Sequence, residues 1–435
     1  MRLPLLLVPL LLLAGCAGVP PAPKWRATDP GEFEQPLTLA DCLRLARAND
    51  VRAAEWRARI EAVHADLAAA RAVPNPVLHL SWDGLGLHDE ADRSLATMTA
   101  GVSYPLLFFW LRPRQIAVAK AKELAEAEAL RAERRQLTVE VGASFYSLLA
   151  GQRRVDVARE LLEVARESLR LAEAGKRLGV RSGYEVERAG TEMLQAEADL
   201  ASAETRLRQD RVAFAFALGA DRPATPVVTA PADLETAPEA ARGREGLPDA
   251  LIEEVLARDP SFARARAASA VAEQSFLLET RSAIPLADLS GSAARKIDPS
   301  ADSTEAGLEV PVPIYDQNLG GKTKAEAALA AARAEEEKAR RSAIAGLARE
   351  WERIRGAVDH WRRFAQPLAR RVEQSAAAAG RLFAAGSVDY GEMLQAQRDL
   401  GAARREEVEA WYEAMNASWA LGCALGRNDP EGDGS

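Results

Sequence analysis

Slid along itself by about 207 residues, the 435-residue chain meets its own pattern again. Gly179 falls on Gly386, Glu185 on Glu392, Ala189 on Ala396, and Leu218-Gly219 on Leu425-Gly426. A nearly equal shift lays Gly101-Val102-Ser103-Tyr104-Pro105 over Gly307-Leu308-Glu309-Val310-Pro311, and Asn49-Asp50 over Asp259-Pro260. Each half reads in the same order: helix, two strands, long helix, glycine turn, helix. The length therefore reflects two interwoven copies, 37–219 and 248–427, and not a string of separate domains. A Pro-, Ala- and Gly-rich stretch at 220–247 joins them, and 428–435 is a tail.

The helices dominate. The first of each half is expected from Thr38 to about Ala72 and from Pro248 to about Arg281, with Thr38 and Asp41 forming a capping box. The second is expected from about Arg114 to Leu178. Its seam runs through Leu137, Val141, Ser144, Leu148, Val155, Ala158, Leu162, Ala165, Leu169 and Ala172. In the second copy the seam is Ile344, Leu347, Trp351, Ile354, Val358, Trp361, Ala365, Leu368 and Val372, and Pro367 is expected to bend that helix. Steps of three and four sustained over several heptads imply supercoiled packing. Composition agrees: 48% of residues are hydrophobic but only 6% aromatic, as close-packed Ala-rich helices require. A net charge of −8 with mixed signs argues against nucleic acid as a partner.

Between the helices the period changes from 3.6 to 2. Leu78, Leu80 and Trp82 alternate with polar residues in 77–83, and Ala96, Met98, Ala100, Val102 and Tyr104 do so in 95–104. In the second copy the strands are expected at 286–293 and 303–310. Apolar-out, polar-in strands of this length suit a water-filled membrane barrel, and they equally suit a soluble sheet with one buried face. Four strands cannot close around a pore, so the barrel reading requires several copies of the chain.

The N-terminus is an address. Arg2, the apolar run Leu5 to Leu13 and the small residues before Cys16 make a signal peptide over 1–15. Leu13-Ala14-Gly15-Cys16 resembles the bacterial lipobox, which implies a covalent lipid on Cys16, the alternative being an ordinary signal peptide with a chance cysteine; no cofactor is expected. Residues 16–36 then read as a lipidated cysteine with a Pro-rich tether. No later segment is long and apolar enough for a transmembrane helix.

Lipobox, duplication, two hairpins and very long helices together resemble the TolC-type outer-membrane factors, the outer membrane efflux protein family. The resemblance covers about 37–427. Its specific pieces are Pro74-Asn75-Pro76 before a strand, Pro311-Val312-Pro313-Ile314-Tyr315 after one, and the duplicated glycine turns. The stretch 104–122 resembles the heavy-metal branch of these factors. The resemblance implies a fold that is mainly α with a small β part: a long-helix tunnel, or α-barrel, beneath a transmembrane β-barrel to which each protomer of a homotrimer gives four strands. It implies an outer-membrane efflux channel and no enzyme. The partners implied are a periplasmic adaptor (membrane fusion protein), an inner-membrane pump and outer-membrane lipid.

It also assigns sites. Leu178, Gly179, Val180 and Ser182, with Ala385, Gly386 and Ser387, would form an adaptor-contacting tip. Glu392 and Gln395 fall where the family carries acidic gate residues, and Gln395 departs from that pattern. Cys42 and Cys423 come near one another in the family fold and are either a disulfide or two separate buried thiols. The alternative function is a lipid-anchored periplasmic coiled coil, structural or adaptor. A rod has no use for alternating strands, however, and an adaptor would carry one hairpin and lipoyl-like β segments.

No catalytic constellation, phosphate loop or metal motif emerges. His79, His88, Asp89, Glu90 and Asp92 crowd the first hairpin, either as a solvated loop or as a weak cation contact.

Overall fold

The computed structural model describes residues 33, 35–50, 52–83, 97–106, 108–230, 246–284, 287–296 and 302–427. Cys16, the leader, most of the tether, His88 and its acidic neighbours lie outside the described residues, while Phe33, near the tether's end, is buried in the main core. In chain order the elements are α1 (Leu39–Asn49), α2 (Arg52–Arg71), β1 (Val77–Asp83), β2 (Thr97–Pro105), α3 (Phe108–Arg177) and α4 (Gly183–Ala217). The second copy follows with α5 (Asp249–Arg258), α6 (Pro260–Arg281), β3 (Asp288–Lys296), β4 (Asp302–Glu309), α7 (Leu319–Asp359), a π-helical segment (His360–Ala365), α8 (Gln366–Ala384) and α9 (Tyr390–Ala424).

The expected first helix of each half is broken in two. Thr38 caps α1 through the capping box with Asp41, but α1 stops at Asp50, whose carboxylate takes the Arg52 backbone N–H at 2.9 Å. In the second copy Asp259 caps α6 by accepting from the Phe262 N–H at 2.7 Å. Pro260, lacking an N–H, fits the first helical position. An aspartate that competes for backbone donors ends one helix and starts the next.

The 70 residues of α3 span about 105 Å at 1.5 Å per residue. It packs against α2, α4, α6 and α9, so the second copy lies along the first over much of its length. The main core gathers Phe145, Leu148, Trp351, Ile354, Trp411 and Met415. The Trp419 indole lies on Gly142, where a Cβ would come within 2.0 Å of the ring. The seam expected through Ser144 is filled instead by fully buried Phe145. Beyond Ala365 the second seam slips by one residue: Ala369 is fully buried and Leu368 is half exposed. The π segment explains the slip, because its extra residue per turn rotates everything that follows. It also leads directly into Pro367, which sits in the first turn of α8.

The strands form one antiparallel sheet in the order β1-β2-β3-β4. The β2–β3 pairing joins the two copies, and β3 runs on to Lys296, beyond the expected end at 293. Register puts like with like. Leu78, Val102, Gly291 and Ala306 form one cross-strand row; Leu80, Ala100, Ala293 and Thr304 form the next. Tyr104, Leu289 and Leu308 continue the same face toward the helices. The opposite face carries His79, Gly101, Ser292 and Glu305 in one row and Ser81, Thr99, Ala294 and Ser303 in another. Arg295 interrupts the apolar face in its last row, at the hairpin end.

Candidate functional site

Three regions carry chemistry beyond packing: the sheet's apolar face, the two glycine turns, and the helix face just past the second turn. In the single chain Leu78, Leu80, Trp82, Met98, Val102, Leu289 and Leu308 are all exposed, Leu78 by 65%. A contiguous apolar face of this kind needs a non-aqueous neighbour. Among the described residues both outer strands, β1 and β4, have unpaired edges, which a hydrocarbon environment does not tolerate. No helix among the described residues is long and apolar enough to cross a membrane.

The turns are built alike. After α3, the Gly179 N–H donates to Lys176 O and the Val180 N–H to Gly175 O, both at 3.0 Å. After α8, the Gly386 N–H donates to Phe383 O at 3.0 Å and the Ser387 N–H to Leu382 O at 2.9 Å. These are two Schellman motifs, closed by glycines at φ +71° and +75°. Ser182 then caps α4 in a box with Glu185, while Asp389 caps α9 by accepting from the Glu392 N–H at 2.8 Å. Leu178 and Val180 are 78% and 71% exposed. Ala385, Gly386 and Ser387 are likewise on the surface.

A small separate core ties the turns together: Ala172, Ala189, Phe383, Tyr390, Met393 and Leu394. Arg181, passed over in the sequence, is its clasp. Its guanidinium stacks 3.8 Å from the Phe383 ring and donates to Phe383 O at 2.8 Å, linking residues 202 apart. Gly175 makes room, since a Cβ there would meet the Arg181 side chain at 2.3 Å. Arg398 pairs with Glu192 and the Arg188 guanidinium lies 5.8 Å from the Tyr390 ring, so cations bridge the copies repeatedly. The Tyr390 hydroxyl is buried without a hydrogen-bond partner among the described residues, and burial raises its pKa.

Glu392 and Gln395 are exposed on one face of α9 and line a shallow groove with Val372, Ser375, Ala396 and Asp399. Gln395 donates its amide to Asp399 at 2.8 Å. The second carboxylate of this face is therefore Asp399, seven residues beyond Glu392. The i, i+7 spacing from Glu392 is readable in the sequence and places Asp399 on the same helix face.

Cys42 and Cys423 are two separate buried thiols with no disulfide between them. Burial pushes the Cys42 thiol up to about 12, with the Asp41 charge adding to it. Because the folded pKa is raised, the stabilisation is complete below the unfolded value near 9 and is lost as pH climbs toward 12. Unfolding should become easier by about 1.4 kcal/mol per pH unit across that window. Thermal melts at pH 8 and 10.5 check this, with Cys42→Ala expected to show a smaller alkaline loss. No group of three or more metal-capable side chains occurs among the described residues. His79 Nε2 lies 2.8 Å from Ser103 Oγ across the strand pair.

The apolar sheet face, the very long helices and the paired turns together have the form of a membrane-channel subunit with a long helical extension. The family profile described as Outer membrane efflux protein matches residues 43–220 and 251–427, once on each copy, and the chain belongs to this family of TolC-type outer-membrane factors. It is an outer-membrane efflux channel and a conduit, not an enzyme. The chain is 27% identical over 408 residues to the cobalt-zinc-cadmium resistance protein CzcC of Cupriavidus metallidurans, covering 92% of each. Its fold is similar to that of CusC (TM-score 0.74, 19% identity, 92% of this chain and 95% of that one). It is also similar to that of VceC from Vibrio cholerae (TM-score 0.71, 16% identity, 89% and 96%).

Proposed function

We propose that this protein is the outer-membrane channel of a tripartite efflux system and that it passes metal cations from a periplasmic adaptor and inner-membrane pump to the exterior. The observation that carries the channel reading is the sheet: one apolar face in register across four strands, with two unsatisfied edges. Three copies pairing β4 to β1 would remove the edges and close twelve strands. Residues 1–15 would be cleaved as the signal peptide, and lipid on Cys16 with the tether to 36 would add a second anchor. A lipid-anchored periplasmic coiled coil, the rival reading, leaves that apolar face in water.

The turns at Leu178–Ser182 and Ala385–Ser387 would meet the adaptor. Two exposed apolar side chains on a rigid Schellman turn give a small, preorganised contact. Glu392 and Asp399, three copies of each, would make two anionic belts at the periplasmic entrance and favour cations. Cation cargo is the reading supported by CzcC, whose name is that of a cobalt, zinc and cadmium resistance protein. Small toxic compounds are the second reading for the cargo.

Reconstitution into planar bilayers tests the channel and the entrance together. Wild type should give cation-selective conductance, and Glu392→Gln with Asp399→Asn should lower the cation-to-anion permeability ratio roughly threefold or more, most clearly at low salt. An unchanged reversal potential removes these carboxylates from the pathway. Zinc, cobalt and cadmium tolerance in a strain lacking the gene separates the cargo readings, because metal export predicts sensitivity to those ions.

A further inference from the structure

Toward the two glycine turns the helices stand in the row α4–α3–α9–α8, because α4 packs on α3, α3 on α9 and α9 on α8. The end members of the row each keep one flank open. On α4 that flank carries Tyr184, Leu194, Ala198 and Ala201, all exposed, Leu194 by 62%. On the π segment and α8 it carries Phe364, Leu368 and Leu382, also exposed. Each set falls on one stripe of three- and four-residue steps, the pattern of a coiled-coil seam.

The π segment creates the second stripe. On a straight helix the inner seam would step from Ala365 to Leu368. The extra residue of the wide turn gives the inner place to Ala369 and turns Leu368 outward. A large apolar side chain therefore stands on the flank while a small one lies inside.

The two end helices are also opposite in charge. α4 holds seven carboxylates against four arginines, whereas the π segment and α8 together hold five arginines against one glutamate. Most of the α4 carboxylates are tied within the protomer, as Glu192 is to Arg398, Glu197 to Arg166 and Glu204 to Arg159. Glu373 of α8 likewise pairs with Arg404 of α9. Beside the stripes, Glu187 of α4 and Arg381 of α8 make no ion pair among the described residues.

We propose that the two flanks are one interface, in which α8 of each protomer seats along α4 of its neighbour as an antiparallel pair. α4 rises from its turn and α8 descends to its own, and the shared core of Ala172, Ala189, Phe383 and Tyr390 ties the two turns together. Rotation about a tunnel axis keeps every residue at its height. At 1.5 Å per residue from the turns, Tyr184 then faces Leu382, Glu187 faces Arg381, Ala198 faces Leu368 and Ala201 faces Phe364, each pair level to within about 3 Å. Leu368 and Phe364 are knobs, and the alanines of α4 leave the holes. Glu187 and Arg381 add a charged hydrogen-bonding pair. The flanks continue the two open edges of the sheet, since α4 follows β1 in the first half and α8 follows β4 in the second. The proposal rests on the reading that three protomers close into a ring, and it adds a helical surface that the sheet does not reach.

The test uses the full-length protein in outer-membrane fractions, with its native cysteines retained. On oxidation, Ala198→Cys combined with Leu368→Cys should give covalent dimers and trimers on a denaturing gel. Ala198→Cys combined with Ala369→Cys should give none, and neither should wild type. Glu187→Arg and Arg381→Glu should each lower the temperature at which the detergent-solubilised trimer dissociates. The double exchange should recover most of that loss, which a purely local effect on either helix would not produce. Cross-linking through position 369 in place of 368, a cross-link to a different protein, no cross-link, or no recovery in the double exchange overturns the interface. Native mass spectrometry of wild type separates the failures. Three associated chains without the 198–368 cross-link defeat this interface alone, whereas single chains defeat the closed ring of the channel reading as well.

Discussion

Arg181→Glu is expected to raise single-channel conductance several-fold while the trimer remains assembled. Arg181 sits on the turn after α3 and grips the end of α8, stacked on Phe383 and bonded to its carbonyl. A partly desolvated cation–π contact and a charged hydrogen bond together contribute about 2–4 kcal/mol. Removing them shifts the balance between the held and released positions of the α8–α9 hairpin by roughly one to three powers of ten. Glutamate adds repulsion from Glu185, whose carboxylate lies 3.9 Å from the Arg181 guanidinium. Bilayer recordings at low voltage check the prediction; conductance equal to wild type would show that the clasp serves stability alone. Arg181→Lys should fall between the two, since lysine keeps the charge but loses the flat stacking surface.

Gly179→Val with Gly386→Val should abolish efflux while leaving protein in the outer membrane. Neither site is crowded: a Cβ at either glycine would meet nothing within 4 Å. The cost is in the backbone, because a β-branched residue at φ +71° or +75° is strained by about 1–3 kcal/mol. The chain relieves that strain by opening the Schellman turn, which displaces Leu178 and Val180 on one tip and Ala385 and Ser387 on the other. The main core around Trp351 and Trp411 lies in the body of the tunnel and should be untouched. The check pairs a cargo-tolerance assay with the amount of trimer in outer-membrane fractions. Full tolerance in the double variant would remove these turns from the adaptor contact. Gly179→Ala and Gly386→Ala should show a milder loss of the same kind.

Much of this protein is legible along the chain because its signals are periodic and local. Alternation in 77–83 and 97–104 places every second side chain on one face, whatever the partner strand. The glycines after α3 and α8 announce left-handed turns, since other residues resist that conformation. The duplication sets element order, and Thr38 with Asp41 sets a helix start to the residue. Each of these depends on a few neighbouring positions and survives without any knowledge of packing.

What the chain alone could not decide depends on residues far apart meeting. The β2–β3 pairing that fuses the copies, the Arg181 clasp across 202 residues and the one-residue slip of the seam at the π segment have no local signature. Phe145 displaced Ser144 from the seam because α3 has several neighbours, and its apolar stripe is wider than a two-stranded coil needs. Sequence determined the parts and the residues at their joints, because backbone conformation is governed by nearby atoms. Tertiary structure decided which joints touch, because charge pairing, ring stacking and register are settled only when distant segments share a surface.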